Sequence, residues 1–474
     1  MNINSFLNSQ TKSVGQGALI LGASTLISRI LGLIREGLLM ARFGASPDLD
    51  IYFAAFRLPD FVYNILIAGG IVVAFLPLFS EVFHQDKEKA WQFTNNTLNV
   101  FLILLILLCL ILFIFTPQLV KLIVPGFSVE QKFQTITLTR LMFLSPILLG
   151  LSSIFSSVLQ YFHRFLAYGL CPIFYNLGII FGILFLSPRW GILGVSLGVI
   201  LGAVLHFLIQ IPSAISCGFK YRAFLDWTDL KMKRTFILMV PRILGMAAHE
   251  INLIVITAIA SMLSSGAITI FNFANNLQSM PVGILGVSFA IAAFPELTKT
   301  WAENKKKEFI DNFSITFKKI LYLIVPISFL MFLFRQEIIE IISKIGLFIL
   351  GSSQFDPLAV KLTAASLGLF CLGLFAAALL PLILRAFFAL KDTKTPTFVA
   401  ILAVILNIIL SITFVSLLAK ESFLQIFLQK SFGLEAVKEI ETLGLPLAFS
   451  ISSIFQFFLL LILLQRKWKT LRIL

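Results

Sequence analysis

The chain has little charge and few of the residue patterns that soluble catalysis requires. Only 13% of its 474 residues are charged, whereas a soluble globular domain carries about 25%. The four cysteines, Cys109, Cys171, Cys217 and Cys371, are isolated from one another, which excludes CxxC-type redox or zinc motifs. The histidines are scattered, and no glycine-rich phosphate loop or Ser/His/Asp arrangement is present. We therefore predict no metal, no cofactor and no enzymatic activity.

The abundant residues are apolar. Hydrophobic residues make up 58% of the chain, and the mean hydropathy is +0.98. Repeated apolar runs of roughly 20 residues match the length at which an α-helix crosses a bilayer. The sequence therefore predicts an all-α integral membrane protein with about twelve transmembrane helices. Their predicted limits are 14–40, 58–80, 93–116, 136–160, 166–187, 191–217, 236–262, 267–295, 312–345, 360–388, 396–418 and 444–465.

The basic residues predict the orientation, because lysine and arginine accumulate on the cytoplasmic side of the membrane. The loops after the even-numbered spans contain most of them, including those of 220–234 and 305–307, and the C-terminal tail adds four more. We predict a multi-pass protein of the bacterial inner membrane with both termini in the cytoplasm. The net charge of +14 is spread over many short loops, which favours contact with anionic lipid headgroups over nucleic-acid binding.

Short sequence repeats indicate two similar halves. The segments 74–81 (AFLPLFSE) and 292–299 (AAFPELTK) end the second and eighth spans. His163-Arg164 with Pro172 corresponds to the segment 391–394 with Pro396, and we expect each proline to open a helix. The pattern predicts an N-terminal six-helix lobe over 1–219, a basic cytoplasmic linker over 220–234 and a C-terminal six-helix lobe over 235–474. Parallel repeats of this kind are a recurrent plan of transporters.

Charged residues inside the predicted spans are the best candidates for function, because a charge at a helix centre costs roughly 2.5–3.5 kcal/mol. In the first span Arg29 and Arg35 lie on or beside a helix face of small and polar residues that includes Glu36. A guanidinium stays ionised and matches phosphate oxygens with a fork of donors, so these two positions predict anion binding. Glu250 lies well inside the seventh span, where a gating role and a simple buried pairing are both open.

The segment 28–36 reads SRILGLIRE and resembles the S-R-hydrophobic-L-G-x-x-R-[DE] signature of the MurJ/MviN lipid II flippases, a family of the MOP superfamily. The segments 53–59 (FAAFRLP), 74–77 (AFLP), 281–287 (PVGILGV) and 391–396 (KDTKTP) extend the resemblance over essentially the whole chain. The resemblance implies a MOP/MATE-like fold with two six-helix lobes around a cationic central cavity. It also implies translocation of an undecaprenyl-pyrophosphate-linked peptidoglycan precursor, lipid II, from the cytoplasmic to the outer leaflet by alternating access.

The resemblance further implies the site residues and partners. It places Ser28, Arg29, Arg35, Asp50 and Arg57 at the substrate. The expected partners are the lipid-linked precursor and the membrane lipids, with a chain that is monomeric or loosely associated with the machinery of cell-wall synthesis. Nucleic acid is not expected.

Some positions depart from the family pattern and mark a divergent member. Tyr63 and Ala68 stand where the family has a basic residue and an acid, and Asn276 replaces an arginine of the eighth span. The cavity is therefore expected to be less cationic than is usual, and Asn276 joins Glu250 as a candidate for gating or coupling. The region 407–411 has no acid suited to a sodium ion.

Two other functional classes remain open at this stage. A flippase or exporter of the same superfamily could carry another lipid-linked oligosaccharide or an amphipathic drug. The second of these classes is a membrane enzyme that acts on polyprenyl lipids, or a scaffold that transports nothing. An enzyme should show clustered acids or histidines at a membrane face, and the sequence offers no convincing set.

Overall fold

The computed structural model describes residues 14–437 and 439–470, and within these ranges its secondary structure is helical without any strand. Several helices continue into one another through short π-helical segments at Tyr63–Ile71, Gly182–Leu186 and Val282–Val287. The helices are α1 Val14–Phe43, α2 Pro47–Val62, α3 Val72–Gln85, α4 Lys87–Ile123, α5 Val129–Met142, α6 Leu144–Tyr161, α7 Phe165–Phe181, α8 Ser187–Leu208, α9 Ile211–Ser216, α10 Leu230–Ala260, α11 Ala267–Pro281, α12 Ser288–Ala302, α13 Lys306–Leu333, α14 Arg335–Leu350, α15 Pro357–Ala389, α16 Lys394–Leu418, α17 Phe423–Phe432 and α18 Gly444–Thr470.

The membrane-spanning character predicted from the sequence is confirmed. Eight helical stretches are long and apolar enough to cross a bilayer, and they cover nine of the twelve predicted spans. The predicted first, second and seventh spans are also helical, as α1, as α2 with α3, and as α10. These three contribute most of the charged residues that the sequence singles out. The chain is an all-α multi-pass membrane protein.

The predicted start of the second span was wrong by eleven residues. The span was predicted to begin at residue 58, but α2 begins at Pro47 and includes Asp48 and Asp50 in its first turn. Proline suits the first position of a helix, and carboxylates near a helix N-terminus interact favourably with its dipole. The dense charge of this segment is typical of a helix start as much as of a loop.

The predicted ninth span, 312–345, is two helices rather than one. α13 ends at Leu333 and α14 begins at Arg335. The Arg335 guanidinium donates to the Phe332 carbonyl at 2.8 Å and lies 5.0 Å from the ring centroids of Phe332 and Phe432. These contacts satisfy a carbonyl at the end of α13, which periodicity alone did not predict.

The prediction that Pro172 opens a helix was also wrong, whereas the same prediction for Pro396 was correct. α7 begins at Phe165, so Pro172 lies inside it, while Pro396 occupies the first turn of α16. The carbonyls near Pro172 find another donor, because the Asn176 side-chain amide donates to the Pro172 oxygen at 3.0 Å.

The two repeated proline segments share one helical plan. In each case an α-helix leads into a π-helical segment and then into a second α-helix, α3 or α12, which contains the repeated proline, Pro77 or Pro295. Insertions of this kind are often found at functional sites. One of them, Tyr63–Ile71, begins at a predicted departure from the family pattern.

The described chain forms two compact units, the first of 14–43, 51–250 and 342–354, and the second of 44–50, 251–341 and 355–470. In the first unit α7 and α8 approach through facing glycines. A Cβ on Gly178 would lie 2.3 Å from the Cα of Gly202, and one on Gly182 would lie 2.7 Å from that of Gly198. Close backbone approach through small residues is typical of membrane helix pairs.

The second unit is built around α15, which packs against α11, α12, α13, α16 and α18. Its core consists of buried aliphatic and aromatic side chains, among them Leu374, Ile383 and Phe387. Gly286 allows the closest approach, because a Cβ there would lie 2.3 Å from the Ala378 oxygen. This packing fixes the helix on which the rest of the unit is assembled.

Candidate substrate-binding site

The first polar cluster joins α1 to α7 in the first unit. The Arg35 guanidinium donates to the Asn176 side-chain oxygen at 3.1 Å. The Asn176 amide in turn donates to the Ser28 hydroxyl at 3.2 Å and to the Ser28 carbonyl at 3.3 Å. Ser28 and Arg35 are two turns apart on α1, so both point toward α7. The structure thus brings two of the predicted site residues together through an asparagine that the sequence analysis did not select.

Arg35 also pairs with a buried acid. Its guanidinium lies 2.7 Å from the Glu36 carboxylate, whose side chain is only 5% exposed. A buried ion pair is stable only when its geometry is good and its remaining donors and acceptors are satisfied. The bond to Asn176 supplies one of these further contacts. Arg35 is therefore held in place before any ligand arrives.

Arg29 differs from Arg35 in its surroundings. Its side chain is partly buried, and it directly follows Ser28 in α1. Within the ranges that the structure describes, no carboxylate or carbonyl engages its guanidinium. An arginine in this setting can bind an anion without first breaking an ion pair.

A second cluster connects α2 with α10. Arg57 is buried and interacts electrostatically with Asp60 and with Glu250. The Glu250 carboxylate accepts a hydrogen bond from the Asn64 amide at 2.9 Å. Asp60 interacts with Arg35 as well as with Arg57. Asp60 therefore links the two clusters electrostatically into one network of opposite charges.

A cavity of about 320 Å³ lies beside this network. Its size is at the lower end of the range for drug-sized ligands. Asp60 contributes the one carboxylate among its lining residues, and neither arginine of the clusters lines it. Tyr63, which stands where the family has a basic residue, presents a phenol instead. The lining residues are Phe56, Pro59, Asp60, Tyr63, Asn64, Ser145, Pro146, Leu149, Pro172, Tyr175 and His206.

His206 is held at the edge of this cavity by a buried polar network. Its Nδ1 lies 2.7 Å from the Ser152 hydroxyl. The Gln210 amide donates to the same hydroxyl, and its side-chain oxygen accepts from Ser156 at 2.9 Å. The network holds the imidazole against α6 through its Nδ1. His206 is at the same time one of the residues that line the cavity.

Asp50 makes contacts of another kind. Its carboxylate is 4% exposed and accepts hydrogen bonds at the start of α11. The donors are the Gly266 amide at 2.7 Å, the Thr269 amide at 2.8 Å and the Thr269 hydroxyl at 2.7 Å. The amides at a helix N-terminus lack partners in the helix itself, and a carboxylate satisfies them well. These contacts place Asp50 as a buried cap of α11.

The remaining positions that the sequence singles out have other surroundings. Asn276 lies half-buried in α11, and its carbonyl accepts from the Ser279 hydroxyl at 2.8 Å. The side chain of Ala68 lies outside what the structure describes. Asn407 donates to the Asn252 side-chain oxygen at 2.8 Å, so the helix region without an acid contains an amide pair. Among the described residues, no three His, Cys, Asp or Glu side chains come together as a metal site.

Sequence reasoning missed Asn64 and Asn176. Each is a single amide in an otherwise apolar helix, and a polar side chain at membrane depth normally faces a partner or a cavity. The same reasoning that predicts a role for buried charged residues also applies to amides, and it would identify Asn64 and Asn176. Their partners, however, are 148 and 186 residues away, a pairing that one sequence cannot reveal.

These features define a multi-pass helical transporter: apolar spans, arginines and acids buried within them, and a cavity lined by polar groups. The family described as "Lipid II flippase MurJ" matches residues 39–473, a range that begins after the signature at 28–36. The chain belongs to the lipid II flippase MurJ family. Membership and the apolar helices together make it a multi-pass protein of the inner membrane.

Individual relatives agree with this assignment. A probable lipid II flippase MurJ of Buchnera aphidicola subsp. Acyrthosiphon pisum (strain APS) is 31% identical over 81% of this chain and 75% of its own. One of Rhizobium tropici is 31% identical over 84% of this chain and 75% of its own. A solved lipid II flippase MurJ in an inward closed conformation has a TM-score of 0.74 at 26% identity and covers 94% of this chain and 87% of its own.

The fold itself is shared more widely. An inward-facing multidrug resistance MATE family transporter of the MOP superfamily also has a TM-score of 0.74, over 96% of this chain and 99% of its own. Its sequence identity is only 12%, so this likeness concerns the fold alone. The predicted MOP/MATE-like architecture is confirmed.

Proposed function

We propose that this chain translocates lipid II, an undecaprenyl-pyrophosphate-linked peptidoglycan precursor, from the cytoplasmic to the outer leaflet. The observation that carries the proposal is the arginine pair of α1, with Arg29 unengaged among the described residues and Arg35 held by Asn176 and Glu36. Family membership supports the same cargo over another lipid-linked oligosaccharide or a drug. The proposed activity is transport without covalent chemistry.

The physical problem of this cargo is its charge. A pyrophosphate cannot enter hydrocarbon as a bare anion, because desolvation of an ionised group costs far more than an ordinary contact returns. The polyprenyl tail has no reason to leave the lipid. Translocation therefore requires polar groups that replace water around the phosphates while the tail stays in the membrane.

The two arginines have different roles in this proposal. Arg29 binds the incoming phosphate first, since no bond among the described residues must break. Arg35 then adds charge-assisted hydrogen bonds from its fork of donors, and its partners Asn176 and Ser28 keep it oriented. Together with Arg29, the network contains three arginines and three acids, so its net charge is close to neutral when no cargo is bound; the members are Arg29, Arg35, Arg57, Glu36, Asp60 and Glu250. Asp50 contributes by stabilising α11.

The mechanism that fits two repeated halves is alternating access. We propose that a lobe of residues 1–219 and a lobe of residues 235–474, joined by the segment 220–234, change position during transport. Parallel repeats in other transporters move in this way. The chain is proposed to act as a monomer, or in loose association with cell-wall synthesis, with the precursor and the membrane lipids as its partners.

The direct test is replacement of an essential flippase. A cell depleted of its own lipid II flippase should grow normally when this chain is expressed, because the missing activity is restored. Headgroup exposure at the outer leaflet, measured in the same cells, should recover in parallel. If growth fails although the protein is present in the membrane, and a lipid-linked oligosaccharide other than lipid II is translocated instead, the cargo assignment is wrong.

Glu250 is proposed as a coupling residue. Glu250→Gln keeps a side-chain oxygen that can accept the Asn64 hydrogen bond, but it removes the charge that faces Arg57. We expect normal membrane levels and translocation reduced by about tenfold, the equivalent of about 1.4 kcal/mol. Asn64→Ala removes only the hydrogen bond and serves as the matched control. Wild-type translocation by Glu250→Gln would leave Glu250 as a structural residue.

The proposed orientation places both termini and the segment 220–234 in the cytoplasm. Single cysteines at Lys231 and at Lys430, introduced after replacement of the four native cysteines, should react with an impermeant thiol reagent from opposite sides. The reason is that an odd number of predicted spans separates the two positions. Labelling of both from the same side would contradict the arrangement of spans. The terminal residues themselves, before 14 and after 470, lie outside the described residues.

A further inference from the structure

A second cavity, separate in its residues from the arginine clusters, lies beside the start of α4. Its volume is about 300 Å³. The first turns of the membrane-spanning helix α4 form one wall, and the segment that precedes α10 forms the other. α4 is long and apolar enough to cross a bilayer, so we expect a cavity at its first turns to lie at the boundary between headgroups and hydrocarbon. The lining residues are Lys87, Glu88, Trp91, Gln92, Asn95, Gly218, Lys220 and Arg222.

Asparagines of α4 hold the second wall in place. Asn95 donates to the Lys220 carbonyl at 3.0 Å and accepts from the Arg222 amide at 2.9 Å. Asn99 donates to the Arg222 carbonyl at 3.2 Å and accepts from the Tyr221 hydroxyl at 3.0 Å. Bonds of this kind satisfy backbone groups of a segment that forms neither helix nor strand. They fix the backbone from which Lys220 and Arg222 extend.

Asn96, the residue after Asn95, makes the same kind of contact. Its amide donates to the Asp226 carbonyl at 2.8 Å, and its side-chain oxygen accepts from the Asp226 amide at 2.7 Å. Three asparagines within five residues of α4 are thus used on the backbone of one segment. A loop that only connects two spans does not require buried asparagine side chains, because the backbone groups of a surface loop usually form hydrogen bonds with water.

The charge of the cavity is predominantly positive. Three cations line it against one carboxylate, and that carboxylate, Glu88, lies 3.4 Å from Arg222. Both side chains of this pair are mostly exposed, so the pair contributes little stability and can exchange partners. Lys87 and Lys220 have no carboxylate partner in the described part of the chain. The cavity therefore holds more positive charge than its own acid can balance.

Trp91 adds an amphipathic wall. Its ring stacks on Phe162 at 5.9 Å between centroids, and its indole nitrogen lies on the side of Gly218, whose φ of +101° requires glycine. Tryptophan is enriched at the level of lipid headgroups because its ring is apolar and its N–H is polar. The cavity thus combines cations for a phosphate with an aromatic surface for the glycerol and upper acyl region.

We propose that this cavity binds the phosphate-bearing headgroup of an anionic phospholipid from the adjacent leaflet. Arginine and lysine are the side chains that bind phosphate, and basic pockets between membrane helices recognise anionic headgroups. A free phosphate would satisfy the same cations, but it would make no use of the tryptophan wall at the membrane boundary. The site does not depend on the proposed cargo or on its translocation.

The test measures lipid binding to the purified full-length protein in detergent. Native mass spectrometry with added phosphatidylglycerol should show a bound lipid that phosphatidylcholine does not replace. The double variant Lys220→Gln/Arg222→Gln should weaken this binding by about tenfold, as loss of charge-assisted hydrogen bonds predicts. Lys299→Gln/Lys307→Gln removes the same charge from exposed positions outside the cavity and should bind like wild type. Equal affinities for all three proteins, or equal losses in both variants, would overturn the proposal.

A second variant tests the site without removing its cations. Glu88→Gln should strengthen phosphatidylglycerol binding by several-fold, because it frees Arg222 from its carboxylate partner. Glycerol 3-phosphate, added at the same concentration as the lipid, tests the source of the phosphate. If it displaces the lipid at equal concentration, the site recognises a free phosphate and the assignment to a phospholipid is wrong. Weaker lipid binding by Glu88→Gln would likewise contradict the proposal.

Discussion

Replacement of Arg35 by alanine is expected to cause a large loss of translocation. The substitution removes the guanidinium fork that bonds to Asn176 and that would bind the phosphate. Each charge-assisted hydrogen bond is worth about 1.5–3 kcal/mol, so translocation should fall by at least about tenfold. The measurement is headgroup exposure at the outer leaflet of cells that depend on the variant. Arg189→Ala, at an exposed position of the same unit, should translocate like wild type.

Loss of activity in Arg35→Ala has two possible causes, and a milder variant separates them. The alanine also leaves the Glu36 carboxylate buried without its ion-pair partner, which typically destabilises a protein by 3–5 kcal/mol. Arg35→Lys retains the positive charge beside Glu36 but not the fork geometry. It should reach normal membrane levels and still translocate several-fold more slowly. If Arg35→Lys and a well-expressed Arg35→Ala both translocate like wild type, the anion-binding mechanism is refuted.

Asn176 provides an independent test of the same cluster. Asn176→Ala removes the groups that connect Arg35 to Ser28 but leaves both arginines and Glu36 in place. A smaller loss than that of Arg35→Ala is expected, since a positioning contact acts only through the residue that it orients. A larger loss would show that the amide itself binds the cargo.

The class of fold was predictable because it follows from the solvent. A bilayer requires helices of a set length with apolar surfaces. Long runs of apolar residues, such as the one in α4, therefore predict the spans directly from the sequence. The positions at which one helix ends and the next begins are harder to predict from the sequence. At the junction at Phe334, Arg335 contacts the rings of Phe332 and Phe432. The contact with Phe432 joins residues far apart in the sequence, and local periodicity does not predict it.

In the candidate site, too, local sequence predicts some features, whereas others depend on contacts between distant residues. Arg35 was predicted to lie on or beside a face of small and polar residues of α1. Ser28 is seven residues earlier, a spacing that a helix brings to one side, and the structure places both against Asn176. Asp50 could be identified as a noteworthy acid, but not as the cap of a helix that begins more than 200 residues later. Periodicity predicts which residues point inward, whereas partners from distant helices are fixed only by the fold.

The largest effect on stability is expected at Asp50. Its carboxylate is almost fully buried and accepts from two backbone amides and one hydroxyl of α11. Asp50→Ala leaves these three donors buried without an acceptor, and each unsatisfied donor costs about 1–3 kcal/mol. We expect a loss of at least about 3 kcal/mol in the free energy of unfolding and clearly lower membrane levels. Asp50→Asn keeps one acceptor oxygen and should lose less.

Asp48 supplies the matched control, because it lies in the same first turn of α2 but is exposed. Thermal unfolding of the purified variants in detergent should rank Asp48→Ala close to wild type, Asp50→Asn below it and Asp50→Ala lowest. The ranking also separates a structural role from a role in binding. A cap predicts that stability and translocation fall together across the three variants. If Asp50→Asn unfolds at the wild-type temperature yet fails to translocate, then Asp50 acts on the cargo, as the resemblance first implied, and its capping contacts are secondary.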